Sequence, residues 1–269
     1  MSQTSKKMFG CIKYSKRRIQ PMQLFKAEKR RTISVYEKTD ENAKLVIWLK
    51  TENEGNDVMR QLKMKDSVLD VGEKNEKTLS FYLNSESKEE DVDLQMIRLF
   101  NYLSDLFNNK TITVWIRPFR IATSHFLFSN LQFESCLFFK ILGDESEILS
   151  NKDASQLLDM LKPTVGVTLK CRVEKGFNQR NIFNLKRIIV TNAEWVSFDD
   201  LLNMDCERAF FKKHSFTEED IKKDHYIYSI EEIDCQNGLD FERKSDGMIG
   251  TVIHQSDWID FFVWHDIQF

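Results

Sequence analysis

Glycine and proline are scarce in this chain, at nine and three of 269 residues. Those two residues supply the special dihedrals of tight turns and the bulk of flexible spacers. Their scarcity argues against a turn-dense all-β architecture and against long disordered linkers. Cysteine is limited to Cys11, Cys136, Cys171, Cys206 and Cys235. An odd count with no CxxC pair offers neither a disulfide framework nor a structural zinc knuckle. Cys136, Cys171 and Cys206 lie in or beside apolar runs, which points to buried thiols in a reducing compartment. No apolar stretch approaches the roughly 20 residues that cross a bilayer. The opening MSQTSKKMFGCIKYSKRR has basic residues but lacks the apolar core of a secretory signal. The expectation is therefore an intracellular protein, cytoplasmic or nuclear, whose sequon Asn109-Lys110-Thr111 goes unused.

The usual constellations of catalysis are missing as well. His125, His214, His225, His254 and His265 sit in unrelated contexts, and none forms HExxH or another close ligand spacing. Gly247 and Gly250 in SDGMIGT are the nearest approach to a phosphate-cradling loop, and they read more simply as a hairpin turn. The carboxylate pairs Asp199–Asp200 and Glu218–Glu219 fall at expected helix starts, where the macrodipole favours negative charge without any catalytic role. The reading is no enzyme, no cofactor and no metal. Residues 1–31 carry ten Lys or Arg against Glu28, a local +9. With a total of −3, the remainder stands near −12. That arm reads as a solvated face or tail, because the pI near 6.0 and the acidic remainder oppose a broad phosphate footprint. Neither nucleic acid nor membrane is expected as a partner.

What is present is a substantial apolar fraction, 41%, with 21 phenylalanines. TISVYEK (32–38) and AKLVIWLK (43–50), joined by TDEN, suggest a β-hairpin. TLSFYL (78–83) follows, and SESKEEDVD (85–93) reads as a solvated acidic loop. Met96, Phe100, Leu103 and Phe107 recur at helical spacing, giving an amphipathic helix from residue 92. Strand-like runs then begin at Thr111, Cys136, Val167, Leu185 and Ala209, with helices expected near 152–162 and 197–204. Pro163 closes the first of these helices, and Ser197 with Asp200 opens the second as a capping box. Thr217 and Asp220 suggest a further cap. Strands alternating with helical segments every 18 to 31 residues predict a leucine-rich-repeat-like coil. In it, runs 136–142, 167–173, 185–190 and 208–213 would form neighbouring, mainly parallel strands.

The stretch LKRIIVTNAEWVSFDDLLNMDCERAFFKKHSFTEEDI (185–221) carries a pattern of its own. An apolar strand ends in Asn192, Trp195 precedes a short helix, and Asp199-Asp200-Leu201-Leu202 leads to a second strand. This resembles the type-2 F-box-associated domain of a large nematode family. Arg243, Asp246 and Gly247, followed by two β-runs, resemble that family's closing hairpin. The resemblance implies an α/β fold: a leucine-rich-repeat-like coil with a mainly parallel sheet, over residues 92–269. A hairpin-containing segment (32–91) and a remnant helical F-box (1–31) would precede it. FGCIKYSKRRIQPMQLFKAEKRR resembles only the closing part of an F-box and lacks its "LP" opening. KKDHYIYSIEEIDCQNG stands where the family has a further Trp-containing unit. The implied function is substrate recognition for a Skp–cullin–F-box ubiquitin ligase, with an unknown protein substrate and the Skp adaptor as partners. The alternative is a binding protein that has lost adaptor recruitment. Asn192, Trp195, Asp199, Asp200, Leu201 and Leu202 are the motif residues, with mainly structural roles implied.

Overall fold

Alternation of apolar and polar side chains, period two, builds both units of the chain. The computed structural model describes residues 19–27, 31–36, 44–50, 58–64, 67–75, 78–82, 89–117, 127–144, 146–217, 238–242, 249–255 and 257–263. They fall into two compact units, residues 1–137 with 156–162, and residues 138–155 with 163–269.

In the first unit β1 (Met22–Lys26), β2 (Arg31–Tyr36) and β3 (Lys44–Lys50) form an antiparallel meander. Its register sets Leu24 beside Ile33 and Ile33 beside Ile47. All three are almost wholly buried. The hairpin expected from TISVYEK and AKLVIWLK is therefore present. β4 (Val58–Met64), β5 (Ser67–Asn75) and β6 (Thr78–Tyr82) continue antiparallel, and β6 returns parallel to β3. The helix α1 (Glu89–Phe107) follows, then β7 (Thr111–Ile116), parallel to β1. Met96, Phe100 and Leu103 are buried on one stripe of α1, as their spacing predicts. Asn108 ends the helix in the left-handed region, φ 51°, a conformation that asparagine tolerates better than most residues.

Two expectations are corrected here. The acidic segment 85–93 is not a loop throughout: it is helical from Glu89, and Asp93 is buried. The Asp93 carboxylate lies between Lys26 Nζ and Arg31 Nε, the latter at 3.1 Å, and each of the three side chains is at most 4% exposed. Opposite charges drawn together from α1, β1 and β2 make burial of an acidic side chain tolerable. Residues 22–26, expected to close a helical F-box remnant, form strand β1. Met22, Leu24 and Lys26 point inward while Gln23 and Phe25 are half-buried, a period that no helix produces. Residues 1–18 lie outside the described residues.

The second unit takes up β8 (Ser135–Leu142) from Phe138, and continues with β9 (Ile148–Leu149) and the first residues of α2 (Asn151–Leu161). β10 (Gly166–Lys170), β11 (Arg172–Val173), a 3-10 turn (Arg180–Asn184) and β12 (Arg187–Val190) come next. α3 (Phe198–Asn203), β13 (Arg208–Lys212), β14 (Gly238–Glu242), β15 (Ile249–Gln255) and β16 (Trp258–Val263) complete it. β8, β10, β12 and β13 pair in that order, each parallel to the next, as the four runs predict. The 167–173 run breaks at Cys171, so its end becomes β11 and pairs with β9 in a separate ribbon. β16, β15 and β14 then extend the sheet antiparallel beyond β13, and β15 with β16 is the closing hairpin. The cap expected from Thr217 and Asp220 falls partly on 218–237, outside the described residues. This is a mixed α/β fold with a multi-stranded sheet.

One face of that sheet is closed. Phe139, Ile141, Val167, Leu169, Ile188, Val190, Phe211 and Ile259 are at most 2% exposed. Gly166 faces the other side, and a Cβ there would meet the Arg187 carbonyl oxygen at 2.7 Å and the Phe138 ring at 2.9 Å. Gly166→Ala is expected to cost about 1–3 kcal/mol, the usual cost of overpacking. A shift in the chemical denaturation midpoint would measure it, and an unchanged midpoint would show that both the Arg187 carbonyl and the Phe138 ring give way at little cost. Cys136, Cys171 and Cys206 are buried thiols outside any disulfide, and burial pushes the thiols of Cys136 and Cys171 up to about 12. An unfolded thiol ionises near 8.5. The native state therefore keeps two protons that the unfolded chain sheds, and stability is expected to fall as pH rises from about 9 to 12. Denaturation midpoints across that range, compared with a Cys136→Ala, Cys171→Ala variant, would isolate the effect.

Candidate interaction surface

The motif residues gather around the crossover from β12 to β13. β12 ends at Val190. Asn192 is buried behind it, and the amide of Ala193 donates to the Lys212 carbonyl on β13 at 2.9 Å. This bond holds the chain beside the strand that it will rejoin. A tight turn, Val196 N–H to Ala193 C=O at 3.0 Å, then places Trp195 outside the strand ends. Ser197 caps α3: its hydroxyl accepts from the Asp200 amide at 3.2 Å, and the Asp200 carboxylate accepts from the Ser197 amide at 2.9 Å. The reciprocal pair is a full capping box. Asp199 is exposed in the first turn, Leu201 is buried, and the Leu202 side chain lies outside the described residues.

Trp195 is half-buried, its ring 4.6 Å from Phe177 edge-on and 6.0 Å from Phe183. Phe183 in turn reaches Phe211 on the closed sheet face at 6.4 Å. The ring cluster thus covers the core where a longer crossover would lay a helix. Arg180 crosses it from outside, with its guanidinium 5.9 Å from the Trp195 ring, 6.0 Å from Phe183 and hydrogen-bonded to Asp200 at 2.6 Å. Asp200 therefore serves both the cap and the guanidinium, and the guanidinium is held within cation–π reach of both rings. The Trp195 indole N–H is buried and finds no acceptor among the described residues. Phe177, Arg180 and Phe183 were invisible as partners of Trp195. They lie in an eleven-residue segment with no apolar period, and only the excess of rings near a lone Trp hinted at a cluster.

Around α3 a second group forms. Phe198 meets Phe216 edge-on at 6.3 Å, and His214 stacks on Phe216 at 5.2 Å. His214 Nδ1 accepts from the Phe216 amide. Its ring is also 5.2 Å from that of His254. Among the described residues, no three or more His, Cys, Asp or Glu are placed to hold a metal ion.

A capped helix, an aromatic brace and a guanidinium beside it at one end of a mixed sheet are parts for shaping a surface; they define an α/β module. Residues 176–223 match the family described as F-box associated. The match takes in the whole ring cluster and both sides of α3. Comparison with curated proteins and with solved structures gave no match. Among the described residues, no helix is long and apolar enough to cross a membrane.

Proposed function

We propose that the chain is a protein-binding module resembling the substrate-recognition part of a Skp–cullin–F-box ubiquitin ligase, acting inside the cell. The observation that carries this reading is the F-box-associated match over 176–223. Its motif residues sit on a corner braced by Phe177, Phe183 and Trp195. The parallel order of β8, β10, β12 and β13, with helix or turn between strands, supports a leucine-rich-repeat-like coil as the frame of the module. Buried thiols outside any disulfide fit a reducing compartment.

A second reading, a binding protein uncoupled from the ligase, has its own support. Met22 and Leu24, among the apolar residues of 1–31 on which adaptor binding would draw, are buried in the sheet of the first unit. Adaptor association needs enough free apolar surface to outweigh the entropy of docking. The chain is therefore expected to bind the Skp adaptor at least about tenfold more weakly than a family member with a complete F-box, or not at all. Calorimetric titration of the purified chain with the adaptor measures this. An affinity equal to that of the complete relative would instead support ligase recruitment.

A further inference from the structure

Parallel strands are normally covered on both faces; among the described residues of the second unit, one face is closed and the other is covered at Thr168 and Asp260 but exposed around Ile189. The pairing registers place Phe138, Arg187, Arg208 and Phe262 in one row of the other face, and Lys140, Ile189, Phe210 and Asp260 in the next. Ile189, in mid-sheet, is 37% exposed, and Phe138, Phe210, Trp258 and Phe262 are half-buried, whereas their neighbours on the closed face are at or near zero. An apolar patch left open at the centre of a sheet marks an interaction surface.

The charge on this face has one dominant sign. Lys140, Lys170, Arg187, Arg208 and Lys212 all project from it. Arg208 forks onto Asp260 at 3.0 and 3.3 Å, and Lys212 reaches Asp257 at 3.7 Å. Arg187 and Lys170 are exposed and make no ion pair among the described residues. Burial, and then the charge of Lys170, hold the Lys140 ammonium below its ordinary value. The like charges are thus close enough to feel one another, and an incoming anion would relieve them. Neighbouring strands lie about 4.8 Å apart, so the cations of β8 to β13 span about 15 Å, the reach of a short peptide segment.

We propose that this open face binds an acidic protein segment whose carboxylates meet Lys170 and Arg187 while its apolar side chains cover Ile189, Phe210 and Trp258. The proposal rests on the binding-module reading and gives it a location and a partner chemistry. A single-stranded nucleic acid fits less well. Its bases need free ring faces, but Phe210 and Trp258 stack on each other at 5.9 Å. The Arg208 guanidinium already covers Phe262 at 4.7 Å, and the centre of the patch is aliphatic.

The test uses the full chain and fluorescence anisotropy with three labelled probes: a random copolymer of glutamate and tyrosine, polyglutamate, and oligothymidylate. The copolymer should bind, and polyglutamate about tenfold more weakly, because charge steers but burial holds. The double variant Lys170→Glu, Arg187→Glu changes exposed side chains and should melt as the native chain does, yet lose copolymer binding about tenfold or more. Ile189→Ser should weaken it independently. Oligothymidylate binding as tight as the copolymer, or unchanged binding by the folded double variant, overturns the proposal; so does no copolymer binding at all. Capture from cell extract separates this from the broader reading. Proteins retained equally by native chain and double variant remove this face but leave the module. No protein retained by the native chain above a bare-resin control removes the module itself.

Discussion

Asp93→Asn is expected to destabilise the first unit by about 3–5 kcal/mol, the range for removing one partner from a buried ion pair. The substitution keeps the shape of the side chain and removes only its charge. Lys26 and Arg31, 1% and 3% exposed, then keep their positive charges away from water without the carboxylate between them. Total stabilities of about 5–15 kcal/mol make such a loss a large fraction of the whole. Urea denaturation of both chains measures it, and a loss below about 1 kcal/mol would place the pair among solvated surface bridges. The triple variant Lys26→Met, Arg31→Met, Asp93→Leu should recover much of the loss, since well-packed apolar residues often equal or better a buried ionic cluster.

Trp195→Ala is the second large effect, about 3 kcal/mol, at the lower end of the range for aromatic-to-alanine changes in a core because the ring is half-buried. The indole joins Phe177 and Phe183 and carries Arg180 on its outer face. Its removal opens the layer above Phe211 and frees the guanidinium. Arg180→Ala should cost far less, since that side chain is 46% exposed and its pair with Asp200 is screened by solvent. Denaturation midpoints of the two variants give the comparison. A Trp195→Ala chain of native stability that no longer retains protein partners would make the ring a binding contact instead of a brace.

Elements with strong local patterns were legible. The stripe of α1, the capping box of Ser197 and Asp200, and the order of four parallel strands all follow from spacings of three, four or two residues. β4 and β5 were not legible, because VMRQLKM and SVLDVGEKN mix charge and apolar groups without clear alternation. The burial of Asp93 was hidden for a related reason. In sequence it belongs to an acidic run, and the cations that justify its position are more than 60 residues away. Strand β1 was obscured by a family expectation that outweighed the alternation of Met22, Leu24 and Lys26. On the open sheet face the cations and rings were visible as letters. Their convergence on one side depended on register, which appears only once the strands are paired.

The short crossover between β11 and β12 bears on how tightly this sequence is constrained. A helix covers a sheet through many side chains, each contributing a little, so substitutions at single positions are absorbed by the rest. Here three rings and one turn do the covering, and each ring is a large share of the layer. Constraint is thereby concentrated into a few letters in the stretch where a family pattern is recognised, 176–223. Segments whose packing is shared among many aliphatic residues encode the same fold with far less information per position. A chain built this way can drift widely in sequence elsewhere while one corner keeps a recognisable pattern.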